Sequence, residues 1–204
     1  MKLSTLGAAA ALILMTALAA CGGKAQFTVQ GTVDGLSNNG LSLTNAGETV
    51  AVPAGASSFA FARQIPYGTD YNVSITSQPA HQTCNFNNSP TGSAGFTVAI
   101  SVAVVCSQNT NTLGGQFSGL TPAADGTVRT VVLINGSAGG TVTVGSPTDG
   151  TGAGTFVLGN VADGTAYGVT IQTQPAGLTC TLTNGTGVMH ETPVSNLVLA
   201  CKPS

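Results

Sequence analysis

The strongest constraint on the fold is an internal duplication. The segment Ile65 to Cys84 (IPYGTDYNVSITSQPAHQTC) aligns without a gap on Val161 to Cys180 (VADGTAYGVTIQTQPAGLTC), at a constant offset of 96 residues, with ten of twenty positions identical. The identities are Gly68/Gly164, Thr69/Thr165, Tyr71/Tyr167, Val73/Val169, Ile75/Ile171, Gln78/Gln174, Pro79/Pro175, Ala80/Ala176, Thr83/Thr179 and Cys84/Cys180. Upstream, Gly31, Val33, Gly35 and Leu36 correspond to Gly115, Phe117, Gly119 and Leu120, and Leu43 and Asn45 to Leu133 and Asn135. A period this long means two whole domains in tandem, since solenoid repeats run at roughly 20–50 residues.

Cysteine placement repeats with the rest. Cys84 and Cys106 are 22 positions apart and Cys180 and Cys201 are 21 apart. Four cysteines allow three connectivities, and the repetition selects Cys84 with Cys106 and Cys180 with Cys201. Zinc ligation, the rival use, favours closely spaced pairs such as C-x2-C, and none occurs.

Each copy reads as strands. In Tyr71 to Ile75 the residues Tyr71, Val73 and Ile75 share one face, the period-two pattern of a half-buried strand. From Phe96 to Cys106 the same alternation puts Phe96, Val98, Ile100, Val102, Val104 and Cys106 on the core face. Further strands are predicted near Phe27 to Val33, Leu41 to Asn45, Glu48 to Val52, Ser58 to Ala62 and Gln82 to Asn87, divided by Gly, Asn, Ser and Pro clusters. Short strands at this spacing predict an all-β chain of two seven-stranded antiparallel sandwiches. The expected organisation is residues 27–106 for the first sandwich, 107–112 for a polar linker and 113–204 for the second.

The fifth cysteine stands apart. Lys2, the apolar run Leu6 to Leu18 and the small residues Ala19 and Ala20 form an export signal ending at Cys21. That run is shorter than the roughly 20 apolar residues of a membrane span. Leu18-Ala19-Ala20-Cys21 resembles the lipobox of bacterial lipoproteins, which implies removal of residues 1–20, diacylation of Cys21 and a lipidated tether over 21–26. Cys21 thus becomes the expected lipidation site and the lipid bilayer the expected partner, since more than one acyl chain is needed for stable anchoring. Gly22 follows where the enterobacterial sorting rule places Asp for inner-membrane retention, so the resemblance favours the outer membrane over the inner membrane.

In Gly68-Thr69-Asp70-Tyr71 and Gly164-Thr165-Ala166-Tyr167, a Gly-Thr turn precedes a strand that opens with Tyr. The ring is expected on the core, with the hydroxyl bonding backbone at the strand corner. The pattern is similar to that of fibronectin type III and CnaB or prealbumin-like modules, which are immunoglobulin-like in architecture. The ordered set of Gly-Leu, Leu-x-Asn, Gly-Thr-x-Tyr-x-Val-x-Ile, Gln-Pro-Ala and two cysteines resembles a module found in tandem in uncharacterised bacterial lipoproteins, over about residues 27–201, and implies no enzymatic activity. CnaB modules often carry a Lys to Asn isopeptide bond. Here the mature chain has only Lys24 and Lys202, both near its ends, and none is expected.

Chemistry is sparse. General acid–base and nucleophilic catalysis need convergent His, carboxylate or activated Cys groups. His81 and His190 fall at positions where the copies do not match, each in a predicted loop, and are read as solvated loop residues. The five Asp and two Glu are scattered, and Asp125, Asp149 and Asp163 each precede Gly as in turns. Ser146 to Gly154 offers one carboxylate where calcium needs several oxygen ligands. No catalytic residue, metal site or cofactor is therefore expected.

Removing Lys2 with the signal leaves Lys24, Arg63, Arg129 and Lys202 against seven acidic residues, a net charge of −3. No basic patch for nucleic acid exists. Charged residues are only 6% of the chain, far from the roughly 25% of typical soluble domains. With 42% hydrophobic types the chain is nonetheless not a disordered tract. The leading expectation is a lipid-anchored structural or interaction module of the cell envelope that contacts an envelope or extracellular protein. The alternative is a lipoprotein that binds carbohydrate or cell-wall glycan, with Tyr67 or Phe86 as the stacking platform. An enzyme built around His81 or His190 is the third class. The sequence sets neither the partner nor the oligomeric state.

Overall fold

A computed structural model describes residues 23–204. The signal segment 1–20 and Cys21 lie outside the described residues. The described chain is all β, without a helix among the described residues. It contains strands β1 (Gln26–Phe27), β2 (Val29–Asp34), β3 (Leu41–Asn45), β4 (Glu48–Val52), β5 (Ser58–Ala60), β6 (Ile65–Pro66), β7 (Asp70–Asn72), β8 (Ser74–Ser77), β9 (Gln82–Phe86), β10 (Thr91–Ser93) and β11 (Ile100–Gln108) in its N-terminal half. The C-terminal half contains β12 (Thr110–Ser118), β13 (Thr130–Asn135), β14 (Thr141–Gly145), β15 (Gly154–Ala162), β16 (Ala166–Thr173), β17 (Leu178–Thr183), β18 (Thr186–Val188) and β19 (Val194–Pro203).

In the first half a four-stranded sheet, β5-β2-β11-β9, faces a three-stranded one, β4-β3-β8. One apolar cluster fills the space between them, with Val29, Phe59, Cys84, Val102 and Val104 from one sheet against Leu41, Leu43, Val52 and the neighbouring Val73. In the second half β15-β12-β19-β17 faces β14-β13-β16-β18, over a separate cluster that includes Leu113, Leu133, Val169, Leu197 and Leu199. The hydrophobic alternation explains the layering, because each strand buries one face: β2 alternates buried and exposed at every residue.

Three expectations are corrected. The sheets are mixed, not purely antiparallel: β2 pairs β11 in parallel (Val29 opposite Ile100) and β12 pairs β19 in parallel (Phe117 opposite Leu199). Close approach at these pairs explains two of the matched glycines. A Cβ at Gly31 would lie 1.7 Å from the Val102 carbonyl oxygen, and one at Gly115 would lie 2.0 Å from that of Leu197. Next, the strand predicted from Phe96 begins only at Ile100, so Phe96 and Val98 leave the core face and are 91% and 100% exposed. Their alternation is real in sequence, but it lies upstream of the first residue of β2 able to pair with it, since the parallel ladder starts at Ile100 opposite Val29. Lastly, of the expected linker 107–112 only Asn109 lies outside a strand, because β11 runs through Gln108 and β12 starts at Thr110.

Both disulfides close as the repetition required, Cys84 with Cys106 and Cys180 with Cys201. Each joins directly opposed residues of neighbouring strands, β9 with β11 and β17 with β19.

Candidate functional site

Matched side chains set up the frame of each half. Gln78 donates from Nε2 to the Cys84 carbonyl (3.0 Å) and accepts the Cys84 amide on Oε1 (2.8 Å); Gln174 does the same with Cys180 (2.9 and 2.8 Å). A shorter or charged side chain could not satisfy a donor and an acceptor of one residue together, which accounts for the identity of this pair. Asn45 and Asn135, both buried, accept the amides of Asn72 (3.0 Å) and Gly168 (2.9 Å) on Oδ1.

The Gly-Thr turns form with Gly68 at φ 79° and Gly164 at φ 78°, a left-handed conformation that other residues adopt at a cost. Tyr71 and Tyr167 then lie over Gly92 and Gly187, where an added Cβ would stand 2.7 and 2.5 Å from the respective hydroxyl oxygens. Each ring fills the gap left by the glycine on the paired strand. The expected hydroxyl bond to backbone is absent among the described residues, so these tyrosines act by packing.

Where the copies diverge, a contact between halves appears. His81 takes φ 61° at the position of Gly177 (φ 70°), and its Nδ1 lies 3.1 Å from Oδ2 of Asp163, which stands at the position of Tyr67. The Asp163 side chain is fully buried while that of His81 is 43% exposed. The His81 ring covers Gly164, where a Cβ would come within 3.0 Å of its Cδ2. Main chain completes the joint: Asn109 donates to the His81 carbonyl (2.9 Å), Asp163 donates to the Asn109 carbonyl (2.9 Å) and Gln108 Nε2 donates to the Asp163 carbonyl (2.9 Å). His81 is thus a junction residue that also keeps part of its ring in solvent, where the sequence suggested a solvated loop residue alone. The sequence signal was there in the paired substitution of Tyr67 by Asp163 and of Gly177 by His81. His190 is exposed, as its loop position implied, and its carbonyl accepts from Asn111 Nδ2 (2.9 Å).

At the opposite end of the C-terminal half an open cleft of about 520 Å³ lies between the Ala123–Thr130 and Thr173–Gly177 segments. Arg129 lines it, with Nη1 donating to the carbonyls of Thr121 (3.4 Å) and Pro122 (3.3 Å) and Nη2 close to Gly177. Asp125 at its rim accepts from the Thr127 amide (2.9 Å), and this bond holds its carboxyl below the usual range. Asp149 caps its own turn likewise through the Thr151 amide (3.0 Å) and hydroxyl (2.8 Å), which depresses its carboxyl too. Sequence reasoning identified the turns but not the cleft, because Arg129 has no motif around it.

The structure brings together no group of three or more His, Cys, Asp or Glu side chains able to hold a metal ion among the described residues. Tyr67 is 58% exposed but tilts 49° against Phe27, and Phe86 packs on the core, so the two make no flat stacking platform for a sugar ring.

No family model matches the chain, and no curated protein is significantly similar to it. Similar solved structures include a variant of the shaft pilin SpaA from Lactobacillus rhamnosus GG (9% identity, TM-score 0.32, 88% of this chain and 99% of that chain covered). The C-terminal fragment of the pilus adhesin SpaC from the same organism gives 13% identity and a TM-score of 0.41 over 87% of this chain and 98% of that one. A single B repeat unit of the collagen-binding surface protein of Staphylococcus aureus gives 14% identity and a TM-score of 0.27, covering 88% and 100%. Likenesses at these scores carry no argument about what the chain binds or does.

Proposed function

We propose that the protein is a lipid-anchored structural and interaction module of the bacterial cell envelope, built from two tandem disulfide-stapled sandwiches and without catalysis. Cleavage before Cys21 and its acylation fasten the N-terminus to the membrane, the outer membrane by the Gly22 criterion. One observation carries the reading. Ala25, four residues after Cys21, is pinned at one end of the first sandwich by the Tyr67 amide (2.8 Å), and β11 runs from that end to the junction with a single residue, Asn109, before β12. The second sandwich therefore follows end to end, and its Arg129 cleft sits at the end remote from the anchor. A nine-residue strand spans roughly 30 Å, so this order holds the cleft well clear of the bilayer, where an envelope or extracellular partner can reach it.

Intact mass of protein taken from the membrane fraction of a bacterial host, before and after reduction, tests the reading. The expected chain starts at Cys21, carries acyl mass and gains four hydrogens on reduction. An unacylated chain, or free thiols at Cys84, Cys106, Cys180 and Cys201, sinks it.

A further inference from the structure

Phe96 and Val98 pose a physical problem that the fold does not solve. Two large apolar side chains stand 91% and 100% exposed on the loop between β10 and β11, beside Tyr67 at 58%. The aromatic ring of Tyr67 covers the same loop, since a Cβ at Gly95 would lie 2.2 Å from its Cδ2. Isolated exposed hydrophobics are ordinary, whereas a cluster of them marks an interaction surface.

The C-terminal half shows that the fold does not require this cluster. There the Gly164 amide bonds the Met189 carbonyl and the Met189 amide bonds Thr165, as Gly68, Ala94 and Thr69 do in the N-terminal half, all four bonds at 2.8 Å. Met189 thus corresponds to Ala94, and the residues two and four further on, where the N-terminal half has Phe96 and Val98, are Glu191 and Pro193. These positions carry an acid and a proline in the C-terminal half, where the loop starts beside the Gly164–His81 joint, and two large apolar side chains at the free tip of the N-terminal half.

What lies next to the apolar version is the tether. The Tyr67 amide donates to the Ala25 carbonyl (2.8 Å), which pins the chain to this tip four residues after Cys21. Four extended residues reach at most about 14 Å, and the headgroup layer of one leaflet is roughly 5–8 Å thick. An acylated Cys21 must lie at the acyl boundary, so the tip is held within reach of it. Charge at this end is balanced. Lys24 and Arg63 stand against Asp70, which accepts from the Ser93 hydroxyl, and Glu48, whose carboxylate accepts the amides of Ala62 (2.7 Å) and Arg63 (3.0 Å).

We propose that the tip formed by Tyr67, Phe96 and Val98 inserts into the interface of the lipid bilayer that holds the anchor, and so sets the first sandwich upright on the membrane instead of leaving it to swing on its tether. Aromatic and aliphatic side chains at the headgroup–acyl boundary are favourable there. Balanced charge makes the insertion indifferent to the anionic lipid content. The proposal rests on acylation of Cys21.

The chain lacks tryptophan, so Phe96→Trp and Val98→Trp each give a single reporter on an exposed loop that folding does not depend on. The acylated full chain is reconstituted into phosphatidylethanolamine–phosphatidylglycerol vesicles with and without brominated acyl chains, and Val128→Trp near the remote cleft serves as the control. Expected are blue-shifted emission and strong bromolipid quenching at positions 96 and 98, unchanged when phosphatidylglycerol is omitted, with a water-like spectrum at 128. Acylated, vesicle-bound protein whose reporters at 96 and 98 stay in water overturns the insertion while the anchor stands. A blue shift without bromolipid quenching overturns it as well, because a protein surface then covers the tip. A chain that carries no acyl mass and does not float with vesicles overturns anchor and insertion together.

Discussion

In the N-terminal half Gln78 grips Cys84 by both ends of its amide, and in the C-terminal half Gln174 grips Cys180 in the same way. Three residues on, the halves part: His81 reaches into the other half, whereas Gly177 stands beside the Arg129 guanidinium and its carbonyl accepts the Ser204 amide within its own half. The loop before the last strand of each half parts similarly, with Phe96 and Val98 in one and Glu191 and Pro193 in the other. Interior positions are held alike because the same parallel strand pair, glycine gap and disulfide must form twice. End positions face different surroundings, namely the tether, the partner half and open solvent, and so they have become different. Duplication thus acts as an internal control: what matches serves the fold, and what differs at the ends serves what each end meets.

The largest effect is expected where the two halves are most alike. Gly31→Ala and Gly115→Ala each drive a methyl group into a carbonyl oxygen across the parallel ladder. Each should cost about 4 kcal/mol or more, the range of severe core disruptions, read as loss of one half's transition in denaturant unfolding. A near-neutral result at either site breaks the equivalence of the parallel pairs. Replacing Cys84 and Cys106 together by Ala should cost about 3 kcal/mol by the loop-entropy argument, and replacing Cys180 with Cys201 should cost about the same. Calorimetry that shows one pair costing several times the other would show that the staples serve unequal roles.

Differences between the halves are tested by smaller changes. His81→Gly restores the residue of the other half. It should relieve about 1 kcal/mol of left-handed backbone strain in the first half while separating the thermal transitions of the two halves, because the Asp163 contact is lost. Asp163→Asn keeps an acceptor for the Gly164 amide and a polar group beside His81, and should cost about 1 kcal/mol, the net worth of one hydrogen bond. Transitions that stay merged in His81→Gly would assign the coupling to the Asn109 main-chain bonds instead.

The smallest expected effect separates the halves by pH. Asp125 and Asp149, both in the C-terminal half, have carboxyls lowered by bonds to Thr127 and Thr151. A lowered folded value means that the contribution is fully present above the ordinary carboxylate range and is lost as pH falls through the depressed value. In an NMR titration the amide signals of Thr127 and Thr151 should move last among the carboxylate-linked signals on acidification. Movement at the ordinary carboxylate value would show these turns to be unbonded in solution.

Much of the fold was legible in the sequence. The bounds of β3 and β4 agree with the expected Leu41 to Asn45 and Glu48 to Val52, because each is a short alternating run closed by turn residues on both sides. Tyr71 to Ile75, expected as one strand, divides at Val73, where the chain changes partner from β10 to β3. Periodicity alone does not reveal a partner change, since the same face stays buried through it.

Residue order by itself determined the duplication, the disulfide pairs, the turns and the apolar faces, because these depend on spacing and on the chemistry of near neighbours. Tertiary structure alone decided the parallel pairing of β2 with β11 and of β12 with β19, the bond between His81 and Asp163 across 82 positions, and the exposure of Phe96 and Val98. Each of these depends on which distant strand end arrives alongside, and local patterning carries no record of that arrival: the alternation that buries Ile100 runs unbroken through Val98, and only the point where β2 begins to pair decides where the core stops.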